Sequence, residues 1–296
     1  MGDLINKINS LKKKKNAVIL VHNYQRKEIY EVADFIGDSL DLSKAATKTK
    51  AKIIVFCGVD FMAESAKILN PNKKVLIPSK QANCPMAAMV DIEKLKQLKK
   101  QHPKAAVLSY INTNAETKAN SDICCTSMNF INLANKLPNR EIIFLPDKNM
   151  GKYLQQNTNK KIILWDGYCH VHDKVLASKI KKSKQLHPKA KVIAHPECQL
   201  EVLNLADHIT GTGGMIKYAK NIKAKEFIVA TEEGMCNRLQ REIKKKKFYR
   251  AAGVCFNMKY ITLDNVYKAL KNEQYEVNVP EDITHRARKC LQKMIE

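Results

Sequence analysis

The sequence predicts an α/β protein built from three similar units, each with a short parallel sheet. Short apolar runs rich in β-branched residues alternate with amphipathic, lysine-rich segments. This alternation is typical of strands buried on both faces of a parallel sheet and of helices that cover the sheet. The runs also fall into three groups that divide the chain into thirds, and a cysteine follows each group. We therefore expect a triplicated small domain, whose period is too long for a solenoid.

Nine strands are predicted, three in each group, from the β-branched apolar runs. The predicted strands are Ala17–His22, Ile53–Cys57 and Lys74–Ile77, then Ala106–Ile111, Glu141–Leu145 and Ile162–Trp165, then Lys191–Ala194, His208–Thr210 and Glu226–Ala230. Helices are predicted between them from the amphipathic spacing, including Ile29–Ile36, Phe61–Leu69, Ile92–Gln101, Ser127–Lys136 and Lys174–Gln185. The predicted repeats span residues 1–84, 85–170 and 171–280, with the C-terminal helix 281–296 packed on the first.

The composition is that of a globular chain with a basic surface. Of 296 residues, 45% are hydrophobic, and 52 Lys and Arg against 29 Asp and Glu give a net charge of +23. The lysines are spread over helix-like stretches, and the runs Lys12–Lys15 and Lys244–Lys247 have few aromatic residues for stacking on bases. The pattern favours a solvated surface that attracts small anionic substrates over a nucleic-acid interface.

The sequence predicts a cytoplasmic protein without a membrane segment. The apolar run Ala17–Val21 has only the length of a strand, and no apolar stretch approaches the roughly 20 residues needed to cross a bilayer. Gly2 is not expected to be myristoylated, because Asn6 occupies the position where Ser or Thr is required. Nine cysteines in such a chain indicate reduced thiols, metal ligands or catalytic groups.

Polar residues end the first strand of each group. The three tips read His22-Asn-Tyr24, Tyr110-Ile-Asn112 and His195-Pro-Glu197. Ligands of open α/β sheets bind beyond the carboxyl ends of the strands. The sequence therefore predicts that the chemistry takes place at these tips.

Three cysteines occupy equivalent points of the repeat. Cys84 and Cys169 are 85 residues apart, and Cys169 and Cys255 are 86 residues apart. Each lies in a loop next to Gly or Pro, so that three units could each present one thiolate to a common axis. The chain has no Cys-x-x-Cys pair, which disfavours a zinc ribbon or a thioredoxin-type site. The remaining cysteines are interpreted as small core residues, namely Cys57, Cys124, Cys125, Cys198, Cys236 and Cys290.

An ordered set of motifs between His22 and Leu263 closely resembles the quinolinate synthase family. The motifs are His22-Asn-Tyr-Gln25, Ala33-Asp-Phe-Ile-Gly-Asp-Ser-Leu40, Cys57-Gly-Val-Asp-Phe-Met-Ala-Glu64, Cys84-Pro-Met86, Tyr110-Ile-Asn112, Ser121-Asp-Ile-Cys-Cys-Thr-Ser127, Phe144-Leu-Pro-Asp147, Gly167-Tyr-Cys-His-Val-His172 and His195-Pro-Glu-Cys198. The resemblance implies three pseudo-symmetric, three-layer α/β/α domains around a central active site. It also implies a [4Fe–4S] cluster held by Cys84, Cys169 and Cys255, with one iron left open as a Lewis acid.

The resemblance also implies a reaction and a set of site residues. Iminoaspartate (iminosuccinate) condenses with dihydroxyacetone phosphate to give quinolinate, with loss of phosphate and water, in de novo NAD synthesis. Tyr24 and Glu197 form the implied acid–base pair, and His172 is a further catalytic or substrate contact. The implied substrate-binding residues are His22, Ser39, Tyr110, Asn112, Ser127, His195, Glu197 and Thr212. The alternatives are helix N-caps for Ser39 and Ser127, a core aromatic for Tyr24 and a satisfied polar residue for His172.

One segment departs from the family pattern, and two other functions compete. Where the family has a hydroxyl-rich run before a methionine, this chain reads Thr210-Gly-Thr-Gly-Gly-Met215, so we expect Thr212 alone to keep a hydroxyl contact. An iron–sulfur hydro-lyase acting on a different dicarboxylate is the first alternative, and a basic nucleic-acid binder is the second. The resemblance leaves open a functional link to an L-aspartate oxidase.

Overall fold

The computed structural model describes residues 1–295, and these residues form three four-stranded sheets. Numbered along each repeat, the strands of every sheet lie in the order second, first, third, fourth. The strand pairs run parallel, for example Val18 beside Ile54 and Ile142 beside Ile162. The predicted α/β class, with three short parallel sheets flanked by helices, is therefore confirmed.

The strand bounds follow the three repeats. The first sheet contains β1 (Ala17–His22), β2 (Phe35–Gly37), β3 (Ile53–Cys57) and β4 (Lys74–Leu76). The second contains β5 (Ala106–Tyr110), β6 (Ile123–Cys125), β7 (Glu141–Leu145) and β8 (Lys161–Leu164). The third contains β9 (Lys191–Ala194), β10 (His208–Ile209), β11 (Glu226–Ala230) and β12 (Lys247–Arg250).

Helices connect these strands and complete the chain. The early helices are α1 (Gly2–Lys14), α2 (Ser39–Lys48), α3 (Asp60–Leu69), α4 (Ile92–Gln101), α5 (Ala115–Ala119), α6 (Phe130–Lys136) and α7 (Lys148–Gln156). The later helices are α8 (Ala177–Leu186), α9 (Leu200–Leu203), α10 (Thr212–Asn221), α11 (Gly234–Glu242), α12 (Phe256–Lys259), α13 (Leu263–Asn272) and α14 (Glu281–Ile295). Two 3₁₀ helices cover Lys27–Val32 and Pro85–Met89. Within residues 1–295, no helix has the length and apolar character needed to cross a bilayer.

The chain forms two compact units. The first consists of residues 1–88 and 111–124 together with the chain from residue 256 onward, and the second consists of residues 89–110 and 125–255. In the first unit, α14 lies against α3 and α5, and the Arg288 side chain donates a hydrogen bond to the Ile68 carbonyl at 3.0 Å. The repeat boundaries inferred from the sequence, at residues 84, 170 and 280, stay a prediction.

The central strands are buried along almost their whole length. Every residue of β3 and β5 is buried, as are the last five residues of β1. Each buried Val, Leu or Ile side chain stabilises the fold by about 1.5–3 kcal/mol relative to exposure. These strands therefore carry no polar side chains that need water, except at or near their ends.

The helix predicted over Ile29–Ile36 is wrong. Its first part is the 3₁₀ helix Lys27–Val32, and its last residues belong to β2. The reason is Asp34, whose backbone N–H donates to the Ile19 carbonyl at 2.9 Å and whose carboxylate accepts the Ile19 N–H at 2.8 Å. These two bonds align the segment with the edge of β1, and this tertiary contact overrides the helical spacing of the apolar residues.

Each sheet has one strand more than predicted, and the missed strands are β2, β6 and β12. In the third repeat, the predicted group ended at β11, but Cys255 follows β12. The β12 segment Lys247–Arg250 lies at the sheet edge and is partly exposed, so it lacks a continuous apolar run. Edge strands show weaker patterning than central strands because they are not covered on all sides.

The helix predicted over Ser127–Lys136 begins later, at Phe130. The Asn129 side-chain oxygen accepts the Thr126 N–H at 2.7 Å and closes a tight turn before the helix. Ser127 lies in this turn and does not cap α6. Asp38, not Ser39, caps α2, because its carboxylate accepts the N–H groups of Leu40 and Asp41. The N-cap alternative is therefore wrong for Ser39 and Ser127.

The core of the third repeat offers a test of the fold. Ile228 in β11 is fully buried in this core, so Ile228→Ala should lower the free energy of unfolding by about 2–5 kcal/mol. Leu186, at the end of α8, is 68% exposed, and Leu186→Ala should change stability by less than about 0.5 kcal/mol. Thermal unfolding of the metal-free proteins compares the stability of these two variants. Equal melting temperatures would contradict the assignment of this core.

Candidate functional site

The predicted polar tips lie at the carboxyl ends of the first strand of each sheet. β1 ends at His22, β5 ends at Tyr110, and His195 directly follows the last residue of β9. All three side chains are buried. Buried polar groups at these positions need partners, so the contacts around each tip decide its chemistry.

In the second compact unit, two predicted histidines flank the carboxylate of Glu197. The Nδ1 atoms of His172 and His195 lie 2.8 Å and 3.0 Å from Glu197 Oε2, and the two imidazole rings stack with centroids 4.7 Å apart. All three side chains are at most 3% exposed. The structure thus brings three of the predicted site residues into one buried network.

The network determines the charge of Glu197. Burial by itself raises the pKa of the Glu197 carboxyl, but the adjacent imidazoles of His172 and His195 outweigh burial and hold the pKa well below its usual range. Burial lowers the pKa of His195, although Glu197 acts in the opposite direction. The carboxylate is therefore ionised and available to accept a proton.

One oxygen of this carboxylate is left for a ligand. Glu197 Oε1 is buried and has no hydrogen-bond partner among the described residues, and the same holds for Asn112 Oδ1 in the first unit. An unpartnered buried acceptor costs about 1–3 kcal/mol, which a bound donor would offset. Both atoms belong to predicted substrate-binding residues.

Thr231 is a site residue that the sequence analysis missed. It follows β11 and lies with its Oγ1 2.8 Å from His172 Nε2. This contact occupies the second ring nitrogen of His172 and orients the ring toward Glu197. Its position one residue beyond a strand end was the only sequence signal that could have identified it.

The other predicted substrate residues are distributed over both units. In the first unit, the His22 and Tyr24 rings form an edge contact with centroids 4.8 Å apart, and Ser39 is the first residue of α2. In the second unit, Thr212 is buried at the start of α10. A Cβ atom on Gly211 would lie 2.3 Å from Ser127 Oγ, so the glycine makes room for the serine hydroxyl. Ser127 therefore lies beside the start of α10, next to Thr212.

The nine cysteines of the described residues divide by exposure into two groups. Cys84, Cys169 and Cys255 are half-buried, whereas the other six cysteines are buried in the described chain. Burial raises the pKa of the Cys57, Cys198 and Cys236 thiols, for Cys236 to about 12, which disfavours the thiolate form that binds metal. Three accessible sulfur donors in loops fit a cluster with three protein ligands.

A second set of donor atoms also lies close together, around Cys169. Its sulfur, His172 and Glu197 place ligand atoms within 4.8 Å of one another. His172 Nδ1 lies 3.1 Å from Cys169 Sγ but only 2.8 Å from the carboxylate, to which it donates its proton. A protonated nitrogen has no lone pair for a metal. Cys169 is therefore the metal-ligand candidate of this group, and His172 belongs to the hydrogen-bond network.

The chain is similar to known proteins over almost its whole length. The family model described as quinolinate synthetase A protein matches residues 6–296. Quinolinate synthase 2 of Methanosarcina acetivorans is 49% identical over 290 residues, covering 97% of this chain and 94% of that protein. The quinolinate synthase of Thermodesulfovibrio yellowstonii is 47% identical, covering 98% of this chain and 97% of that protein. The quinolinate synthase of Clostridium novyi is 51% identical, covering 99% of this chain and 98% of that protein.

Two glycines offer a matched test of the loops that carry Cys169 and Cys255. A Cβ atom on Gly167 would lie 2.4 Å from the Pro146 carbonyl oxygen, whereas one on Gly253 would meet no atom within 4 Å. Gly167→Ala should therefore cost about 1–3 kcal/mol of stability through overpacking, and Gly253→Ala should cost little. Thermal unfolding of the metal-free variants measures the difference. A Gly167→Ala protein as stable as Gly253→Ala would disprove the close approach at Pro146.

Proposed function

The chain belongs to the quinolinate synthetase A family, and on this premise we propose that it condenses iminoaspartate with dihydroxyacetone phosphate to form quinolinate. Phosphate and water are lost, and the product enters de novo NAD biosynthesis. The chain is thus an enzyme, a quinolinate synthase. The observation that carries the proposal is the buried carboxylate of Glu197, which two histidines hold ionised while its second oxygen has no hydrogen-bond partner in the part of the chain that the structure describes.

We propose that Cys84, Cys169 and Cys255 hold a [4Fe–4S] cluster. Their half-buried thiols and their equivalent positions after β4, β8 and β12 support this ligand set. When bound, a cluster with three protein ligands supplies one iron with an open position, which is a Lewis acid for a substrate oxygen or nitrogen.

The remaining predicted residues would bind the substrate anions. A dicarboxylate and a phosphate ester need hydrogen-bond donors and positive charge, and the net charge of +23 raises the local concentration of both. The donors proposed for this role are His22, Ser39, Tyr110, Asn112, Ser127, His195 and Thr212. The N-terminus of α10 places Thr212 where free backbone N–H groups attract anions.

Proton transfer would fall to Glu197 and Tyr24. Glu197 is the proposed base, because its buried carboxylate lies beside His172 and His195 and its second oxygen has no hydrogen-bond partner within residues 1–295. Tyr24, two residues beyond His22 at the end of β1, is the proposed acid. His172 positions the Glu197 carboxylate through Nδ1 and is itself held by Thr231.

A cytoplasmic location follows from the same proposal. No disulfide joins any of the nine cysteines within residues 1–295, which suits a reducing compartment. An L-aspartate oxidase is a proposed source of iminoaspartate, since two-electron oxidation of the amine of aspartate gives this imine.

The ligand assignment predicts which cysteines the cluster needs. Replacement of Cys84, Cys169 or Cys255 by Ala should abolish the brown colour and the iron and sulfide content of protein purified without oxygen. Cys57→Ala and Cys290→Ala remove buried thiols and should keep the cluster. Retention of the cluster in all three ligand variants would refute the assignment, and a wild-type protein that stays colourless and inactive after anaerobic reconstitution would refute the function.

The role of Glu197 predicts a loss of turnover without a loss of cluster. Glu197→Gln keeps the shape of the side chain but removes the base, so kcat for quinolinate formation should fall by about 10²–10⁴-fold. The iron and sulfide content should equal that of the wild type, because the side chain is no proposed iron ligand. Undiminished kcat in this variant would exclude Glu197 as the base.

A further inference from the structure

A buried or half-buried carboxylate holds the loop of each proposed ligand cysteine. In the first unit, Asp60 Oδ1 accepts the backbone N–H of Cys84 at 3.0 Å and that of Phe61 at 2.8 Å. The Asp60 backbone N–H donates in turn to the Ala82 carbonyl at 2.8 Å, two residues before the cysteine. The Cys84 loop is thus fixed at two points to the start of α3.

The same arrangement holds the Cys169 loop. Asp147 Oδ2 accepts the Cys169 N–H at 3.0 Å, while its Oδ1 accepts the Met150 N–H at 2.7 Å in α7. The backbone N–H of Lys148 donates to the Gly167 carbonyl at 2.8 Å, again two residues before the cysteine. Asp147 is fully buried.

The third repeat uses a glutamate for the same contacts. Glu232 Oε1 accepts the Cys255 N–H at 3.1 Å, and its Oε2 accepts the Gly234 N–H at 2.7 Å at the start of α11. The Glu233 N–H donates to the Gly253 carbonyl at 3.2 Å. Glu232 is fully buried as well.

We propose that Asp60, Asp147 and Glu232 are positioning residues, which hold the three cysteine loops in the geometry that receives the cluster. The carboxylates precede their cysteines by 24, 22 and 23 residues, so the contact recurs once in each repeat. The inference rests on the proposed cluster ligands and adds the groups that fix them. Groups that orient metal ligands change metal affinity by about 10–100-fold when they are removed.

Helix capping alone does not account for these contacts. A cap needs one acceptor directed at its own helix, yet each carboxylate also binds a cysteine N–H more than twenty residues away. Glu232 also lies one residue before the N-cap of α11, which is Glu233, so it is not in the usual capping position. Its longer side chain does reach both the helix start and the Cys255 loop.

The chain supplies a variant that separates hydrogen bonding from charge. One oxygen of Asp60 accepts both N–H groups, so Asp60→Asn can keep both bonds while losing the charge. Asp147 and Glu232 use their two oxygens separately, so Asp147→Asn and Glu232→Gln must each give up one bond. Asp60→Ala, Asp147→Ala and Glu232→Ala remove all of these contacts.

The test is the rate at which a chelator strips iron from anaerobically reconstituted protein, followed by the visible spectrum. The three Ala variants should lose iron about 10–100-fold faster than the wild type. Asp60→Asn should resemble the wild type, and Asp147→Asn and Glu232→Gln should lose iron faster than Asp60→Asn. Wild-type rates in the Ala variants, or equal rates in Asp60→Asn and Asp60→Ala, would overturn the proposal.

Glu233→Gln is the matched control. Its carboxylate lies next to Glu232 in the chain but pairs with the exposed Arg250 at 2.7 Å, away from the cysteine loop. This variant should lose iron at the wild-type rate. A loss as fast as that of Glu232→Ala would show that any nearby charge matters and would contradict the positioning role.

Hydrogen exchange of the metal-free protein tests the contacts without the cluster. The amides of the three cysteine loops should be protected in the wild type, and each Ala variant should lose protection in its own loop only. Unchanged exchange would disprove the inference. A wild-type protein that takes up no iron, but shows the expected exchange pattern, would instead disprove the proposed function and leave the loop contacts established.

Discussion

The burial of the central strands on both faces is the constraint from which the rest of the structure follows. Along β1, β3 and β5 the backbone is hydrogen-bonded to neighbouring strands and nearly every side chain is enclosed. Polar side chains are therefore concentrated at and beyond the carboxyl ends of these strands. His22, Tyr110 and His195 all lie there, and the loops after the third strands begin there too.

Burial also encloses the polar network of the second unit, which consists of Glu197, His172 and His195. An ionised carboxylate at this depth costs several kcal/mol unless hydrogen bonds compensate the lost hydration. For Glu197, the compensation comes from His172 and His195, and Thr231 holds His172 in turn. The segments after β8, β9 and β11 are thus joined by one chain of hydrogen bonds, in which Glu197 Oε1 has no partner among the described residues.

The three repeats share a framework but have different chemical groups at their ends. At or just beyond the end of its first strand, the first repeat has His22 and Tyr24, the second has Tyr110 and Asn112, and the third has His195 and Glu197. The contacts that position the cysteine loops are nearly the same in all three, although one repeat uses glutamate in place of aspartate. Framework contacts depend on backbone geometry, which the repeats have in common, whereas the side chains beyond the strand ends differ from one repeat to the next.

The fold class and the central strands could be predicted from the sequence alone, which also named candidate residues for the site. Continuous apolar runs and regular cysteine spacing can be recognised in the sequence without knowledge of tertiary contacts. The tertiary structure was needed to identify the edge strands β2 and β12, because the bonds of Asp34 to Ile19 override a helical pattern in β2, and because β12 is partly exposed. It also decided the partners of Glu197 and the role of Thr231, since these residues approach one another only after distant strands pair.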